Sequence, residues 1–349
     1  MEKIIKTNFW KNKKVLITGH TGFKGGWLSL WLQYLGAKVV GVSLDPPTEC
    51  SLYQKASVAT GMISLRQDIR NGEKIKKIFV QHQPEIVFHL AAQPLVRYSY
   101  KDPVKTYETN VMGTLHILEA IRAIDTVQST IIVTTDKCYQ NKEWYWGYRE
   151  IDPMGGQDPY SSSKGAVELL ISSYRDSYLL NIASVRAGNV IGGGDWAEDR
   201  LIPDIIRAFQ ENKSIEIRNP SSIRPWQHVL EPLSGYIRLA ECLTHSSKKY
   251  AQAWNFGPYD KDVKSVEWIV RKMIKHWGKK NYWKIDKNNN PHEANYLKLD
   301  CSKAHKELDW HPKWELDIAL QKIVHWHKAE GNQSNMRKET ISQIEEYCA

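Results

Sequence analysis

Short apolar runs rich in β-branched residues alternate with longer stretches of helical period through the first half of the chain. Lys14–Thr18 (KVLIT), Lys38–Ser43 (KVVGVS) and residues 62–65, 86–90 and 130–134 predict strands buried on both faces. Residues 27–35, 73–81 and 106–124 carry the helical pattern between them, and a helix over 161–178 with a strand over 182–186 continues the series. Strand, crossover, strand at this spacing predicts an α/β fold, a doubly wound parallel sheet with helices on both faces. Beyond Gly188 the alternation fails, and loops such as GNVIGGGDW, RNPSSIRPW and KNNNPHE separate shorter helices. The expected organisation is a first domain over 1–188 and a smaller mixed region over 189–335, interleaved with it. A last helix over 316–330 precedes a polar tail, 336–349, expected to be loose.

Composition narrows the classes. With 349 residues, 42% hydrophobic and 25% charged, the chain has core enough for one large domain or two modest ones and is not a disordered protein. No apolar run approaches the roughly 20 residues that span a bilayer, and no apolar signal segment follows the basic N-terminus, so no membrane partner and a cytoplasmic location are expected. The five cysteines are scattered, never in a CxxC spacing, and no HExxH occurs, which argues against a disulfide framework or a metal site. The net charge is +9, and residues 261–313 hold 13 Lys and Arg against 7 Asp and Glu. That stretch reads either as attraction for a phosphorylated ligand or as a solvated basic surface. No RNA or DNA motif accompanies it, so no nucleic-acid partner is expected. The 14 tryptophans suit flat apolar ligands or large interfaces.

Candidate chemistry begins where the first strand runs into Gly19-His-Thr-Gly22-Phe23-Lys-Gly25-Gly26 and a helical segment follows. Glycines at such a turn let the backbone take positive φ and let a diphosphate approach a helix N-terminus, where free N–H groups and the dipole favour an anion. The spacing is GxxGxxG rather than GxGxxG, and three glycines alone are equally a plain turn. Their place after a strand and before a helix is the required context. Asp45 lies 20 positions after Gly25, at the end of the second strand, where a carboxylate accepts hydrogen bonds from an adenosine ribose and repels a 2′-phosphate; this predicts NAD as cofactor. Farther on, Tyr160 and Lys164 stand four apart, on one helix face. A lysine ammonium beside the phenol favours phenolate. Thr134-Thr135-Asp136, ending a strand 24 residues upstream of Tyr160, brings a hydroxyl and a carboxylate to the same sheet edge, where ligands of doubly wound sheets bind.

Together GHTGFKGG, Asp68-Ile69, HLAAQ (89–93), DPVKTYETNVMGT (102–114), TTD, YSSSK and RAGNVIGGGDW (186–196) resemble the extended short-chain dehydrogenase/reductase family, a Rossmann-type fold, over nearly the whole chain. TGHTGFKGGWLSLWL, VSLDPPT, TTDKCY and RPWQHVLEPLSGY (224–236) are similar to the nucleotide-sugar 4,6-dehydratases of the CDP-glucose branch. The resemblance implies a lyase that oxidises the sugar at C4 with bound NAD, eliminates water across C5/C6 and returns the hydride to C6, with CDP-glucose as substrate, in deoxysugar synthesis for surface polysaccharide. It implies Tyr160 as acceptor of the C4 hydroxyl proton, Lys164 at the nicotinamide ribose, Thr135 at the C4 oxygen and Asp136 as acid for the departing C6 hydroxyl. Lys137 stands where the dTDP-glucose enzymes carry Glu, and is either a base for C5 or an electrostatic stabiliser of the enolate. Cofactor contacts are implied at Gly19, Gly22, Phe23, Gly25, Asp45, Asp68, Ile69, Ala91, Ala92, Asn110, Arg186 and Asn189, beside Tyr160 and Lys164. Substrate contacts are implied at Asn189, Arg200, Leu201, Arg218, Arg224, His292 and Tyr296, the arginines suiting a diphosphate. The family pairs as homodimers or homotetramers, here through helices 106–124 and 161–178. A nucleotide-sugar 4-epimerase is the alternative, and a non-catalytic NAD-dependent binding protein the alternative from another class. Asp136-Lys137 argues against the first, since epimerisation expels no hydroxyl.

Overall fold

A computed structural model describes residues 7–278, 283–286 and 296–349. Its centre is a parallel sheet of β1 (Lys14–Thr18), β2 (Lys38–Ser43), β3 (Ile63–Arg66), β4 (Ile86–His89), β5 (Ser129–Val133), β6 (Ile182–Ala187) and β7 (Ala253–Phe256), in the spatial order β7-β6-β5-β4-β1-β2-β3. The order reverses direction between β1 and β4, so a crevice opens beyond the C-terminal ends of those strands. β4, β5 and β6 are buried along their whole length, as continuous apolar runs require. β7 was not legible: AWNF is short and stands well past the Gly188 boundary, yet it pairs in register with β6, so the later half of the chain completes the main sheet.

The helices that position the site are α1 (Phe23–Tyr34), α2 (Gly72–His82), α3 (Gly113–Arg122) and α4 (Pro159–Tyr178). Residues 106–124 are not one regular helix. A helical turn over Pro103–Tyr107 passes through a π-helical turn, Glu108–Met112, before α3 begins. After β6 come α5 (Leu201–Gln210), α6 (Leu230–His245), α7 (Val266–Trp277), α8 (Leu316–Gly331) and α9 (Met336–Cys348). Ile202, Ile205, Phe209, Trp226, Ile269 and Leu320 belong to a second apolar cluster beside the main core. Short pairings of Val190–Ile191 with Gln227–His228 and of Ile223–Pro225 with Val263–Ser265 tie its loops together. Trp10, Trp27, Trp31, Trp254, Trp310 and Trp326 are fully buried, so much of the tryptophan excess is core packing.

The expected loose tail is instead α9. Met336, Thr340, Ile344 and Tyr347 recur at one helix face and are buried, while the polar residues that dominate the composition take the other face. The Trp326 indole donates to Thr340 Oγ1 at 3.0 Å, and the Tyr347 hydroxyl donates to the buried Glu231 Oε2 at 2.6 Å. Removing residues 336–349 therefore strips a face of the core and leaves Glu231 short of a donor. We expect that truncation to cost about 3 kcal/mol or more, read as a lowered denaturant midpoint or a shift to insoluble protein.

Candidate active site

A cavity of about 1110 Å³ lies at the C-terminal ends of the strands, walled on the other side by residues that follow β6. Its floor is the glycine turn. Gly19 holds φ +80°, and a Cβ there would stand 2.7 Å from Ala91 N; a Cβ on Gly25 would stand 2.1 Å from Gly19 O. Those two glycines are demanded by the turn itself. Gly22 is different: its φ is −80°, and a Cβ would meet nothing closer than 3.4 Å. It is the N-cap of α1 with no capping side chain and no acid in the first turn, so the helix start faces the cavity with its N–H groups available. Phe23, Ala91, Ala92, Ile69 and Asp68 also line the cavity. Asp45 stands at its mouth with its carboxylate exposed, 2.7 Å from Arg66 Nε, so its charge is shared with a neighbouring guanidinium.

The reacting groups cluster where β5 ends and α4 begins. Asp158 caps α4 by accepting from Ser161 N at 2.9 Å, and Pro159 opens it, which sets Tyr160 and Lys164 on one inward face. Both line the cavity with Thr135 and Lys137. Burial pushes the Tyr160 phenol up to about 12, with its hydrogen bond to Thr135 pulling the other way, Asp136 adding to the rise and Arg200 opposing it. The expectation of a phenol already brought down by Lys164 is not met, because desolvation dominates. Lys164 donates to Val133 O at 3.1 Å, and burial brings it down to about 8 against the upward pull of Glu168 and Cys138. Asp136 is completely buried behind this wall, not on it. Its Oδ1 accepts from Thr135 Oγ1 at 3.0 Å and Lys137 Nζ at 3.3 Å, and its Oδ2 has no partner among the described residues.

The cavity is also lined by Arg200, held by Asp195 Oδ2 at 2.9 Å and near enough to act on Tyr160, and by Leu201, Arg218 and Arg224. Asn189 lines the same space with a buried Oδ1 that has no hydrogen-bond partner among the described residues, an acceptor awaiting a donor.

Three expected contacts are corrected. Asn110, in the π-helical turn, is buried away from the cavity: Oδ1 accepts from Gln93 N at 2.8 Å while Nδ2 donates to Gln93 O and to Ser163 Oγ. It braces the loop after β4 against α4. Arg186 also lies off the cavity wall, its two terminal nitrogens bonded to Glu168 Oε2 at 2.7 Å, the Tyr139 hydroxyl and Glu150 O. Tyr296 points its hydroxyl to Tyr145 O at 3.3 Å and does not line the cavity, although the next residue, Leu297, does. His292 lies outside the described residues. Sequence reading passed over Lys24, which is on the cavity wall. Lys24 sat in plain view inside the glycine motif, and only its cavity-facing position singles it out.

The fold, the glycine turn and the Tyr160/Lys164 pair at the strand ends define the class: a Rossmann-type protein of the extended short-chain dehydrogenase/reductase kind. The family model described as GDP-mannose 4,6 dehydratase matches residues 16–323, and the chain belongs to that family. It is 56% identical over 335 residues to CDP-glucose 4,6-dehydratase of Salmonella typhimurium, covering 93% of each chain. Among solved structures it is similar to UDP-glucose 4-epimerase of Thermotoga maritima, with a TM-score of 0.80, 22% identity and coverage of 90% of this chain and 99% of that one. It is also similar to dTDP-glucose 4,6-dehydratase of Bacillus anthracis in complex with NAD, at TM-score 0.77, 21% identity and coverage of 93% and 99%. At those identities the two structures speak for the fold.

The two kinds of glycine separate experimentally. Gly25→Ala forces backbone apart and costs about 2 kcal/mol or more of stability. Gly22→Ala costs at most about 1 kcal/mol but puts a methyl where a ligand would approach. Denaturation of the free variants, set beside NAD titrations, distinguishes them: Gly22→Ala loses binding out of proportion to stability.

Proposed function

We propose that the chain converts CDP-glucose to CDP-4-dehydro-6-deoxyglucose with bound NAD. One observation carries the reading: a chain 56% identical to a CDP-glucose 4,6-dehydratase has a phenol, a threonine hydroxyl and a lysine together at one cavity, with Asp136 bonded to the lysine just behind its wall. The cavity suits NAD. The uncapped start of α1 fits a diphosphate, Asp45 the adenosine ribose, Asp68 and Ile69 the adenine, Ala91 and Ala92 the middle of the molecule, and the unmet Asn189 acceptor an amide or hydroxyl donor. When bound, NAD supplies a hydride acceptor for C4 and a hydride donor for C6.

The chain's own groups move the protons. Tyr160 takes the proton of the C4 hydroxyl, and Thr135 donates a hydrogen bond to the C4 oxygen. Burial alone keeps the phenol protonated, so its ionisation depends on cations near it; Arg200 already pulls that way, and Lys164 sits one helical turn on. Lys164 also holds the nicotinamide ribose. Asp136, in its protonated form, gives a proton from Oδ2 to the departing C6 hydroxyl, which it reaches only when the side chains covering it from the cavity move aside. Lys137, whose Nζ lies 3.3 Å from Asp136 Oδ1, either takes the C5 proton and passes it back to Asp136 across that contact, or stabilises the enolate by its charge while water takes the C5 proton. Arg200, Arg218 and Arg224 bind the nucleotide diphosphate, with Leu201 beside them.

The product enters deoxysugar synthesis for surface polysaccharide, in the cytoplasm. The chain works as a homodimer or homotetramer, supported by exposed Val104, Tyr107 and Met112 before α3 and exposed Leu169, Tyr178 and Leu179 on or after α4.

CDP-glucose deuterated at C4 should give product carrying the label at C6, with a 4-keto-6-deoxysugar visible by its absorbance in base. Interconversion with a galactose nucleotide and no such product would mean an epimerase. Tyr160→Phe should lower kcat by roughly 10²–10⁴ while NAD stays bound. For Lys137 the substitutions decide between charge and proton transfer: if it acts by charge, Lys137→Arg keeps most of the turnover that Lys137→Ala loses, and if it is the C5 base, both fail equally.

A further inference from the structure

One cation at the glycine turn is employed by none of these steps. Lys24, the second residue of α1, faces the cavity, and among the described residues its ammonium has no hydrogen bond and no ion pair. The charged groups that act on it come from each element around it. They are Arg200 at the start of α5, Lys164 on α4, and Asp136 with Lys137 in the turn after β5. Asp136 is the one carboxylate among them, and it is already bonded by Thr135 and Lys137. Arg200 has its own acid in Asp195, and Lys164 has Val133 O. Lys24 is thus a half-buried amine set among cations with no counter-charge of its own.

Such an arrangement is unfavourable until an anion arrives. The adjoining place for one is the uncapped helix start to which Lys24 itself belongs, where Gly22 leaves room for close approach. The diphosphate of a nucleotide sugar has Arg200, Arg218 and Arg224 in the same cavity, and because Arg200 also acts on Lys24 each diphosphate needs its own arm of the test. We infer that Lys24 is a cofactor-binding residue whose amine takes up a proton as the resident dinucleotide enters and, as the ammonium, pairs with its diphosphate. The inference rests on the reading of this cavity as an NAD site.

The direction of the pH effect follows from the geometry. Without a ligand, burial first, then Arg200, Lys164 and Lys137, bring Lys24 down to about 7, with Asp136 opposing. A diphosphate beside the amine raises it in the complex. Binding is therefore tightest below the ligand-free value and weakens as pH rises through it toward the value in the complex. The dinucleotide is held hardest where Lys24 is charged without help.

The test uses full-length protein freed of nucleotide and titrated calorimetrically with NAD at pH 6.5 and 8.5, in two buffers of different ionisation heat. Wild type should bind on the order of 10-fold more weakly at pH 8.5 and take up close to one proton per NAD there. Lys24→Met should bind on the order of 10-fold or more weakly at pH 6.5, with the pH dependence and the proton uptake gone. Lys24→Arg, charged at both pH values, should keep the affinity and lose the pH dependence, which separates charge from a folding defect. Equal affinity and equal proton uptake in wild type and Lys24→Met would overturn the inference. So would proton uptake that appears only when CDP-glucose is added to the NAD-loaded protein. If wild type fails to bind NAD at all, the reading of the cavity falls instead.

Discussion

The reacting face of this protein hangs on a buried carboxylate. Glu168, on α4, accepts from Thr134 at the end of β5, from Ser184 Oγ at 2.8 Å and from Arg186 at 2.7 Å on β6. Arg186 passes the connection on to the Tyr139 hydroxyl and Glu150 O. An ion pair this deep gains its stability from the hydrogen bonds around it as much as from Coulomb attraction, since both charges have left water, and of the guanidinium nitrogens only Arg186 Nε lacks a partner among the described residues. Its geometric effect is large. It fixes the rotation and height of α4 against two strands, and so decides that Tyr160 and Lys164, two turns and one turn back along the helix, meet Thr135 and Val133 O. The same carboxylate pulls Lys164 upward against its burial.

Electrostatics then give the cavity its character. Lys24, Lys137, Lys164, Arg200, Arg218 and Arg224 all line it, while the nearby acids Asp136 and Asp195 are engaged by members of that set. The cavity as a whole also holds Asp45, Asp68, Asp199, Asp204 and Glu216, so its character is a local basic cluster about the reacting groups, suited to the diphosphates that a dinucleotide and a nucleotide sugar bring. The excess counted in residues 261–313 lies largely elsewhere, since few of those residues face the cavity. Net charge was therefore a poor guide to the site, and the local arrangement a good one.

Legibility followed the range of the interactions. β1, β2 and α4 were readable because a strand buried on both faces and a capped helix are written in consecutive residues. The glycine turn was readable for the same reason, down to the placement of Gly19 and Gly25. β7 was not, because four residues reveal nothing of a pairing with a strand 70 positions earlier. The helix face of α9 was present in the spacing of Met336, Thr340, Ile344 and Tyr347, but polar composition masked it.

Asn110 and Arg186 mark the boundary more sharply. Both stand in motifs that touch the site, yet whether a polar side chain turns to a ligand or to its own neighbours depends on which partners the fold delivers. Here Gln93, Ser163 and Glu168 arrive first. Lys24 is the converse, a residue whose motif position said nothing and whose surroundings say much. Sequence alone determined the parallel sheet, the turn at its edge and the identity of the hydroxyl, phenol and amine gathered there, because local propensity and spacing carry that information. Which of these groups keep a free face was decided only in three dimensions, since a hydrogen bond is claimed by the nearest complementary partner, and nearness across the chain is a property of the folded state.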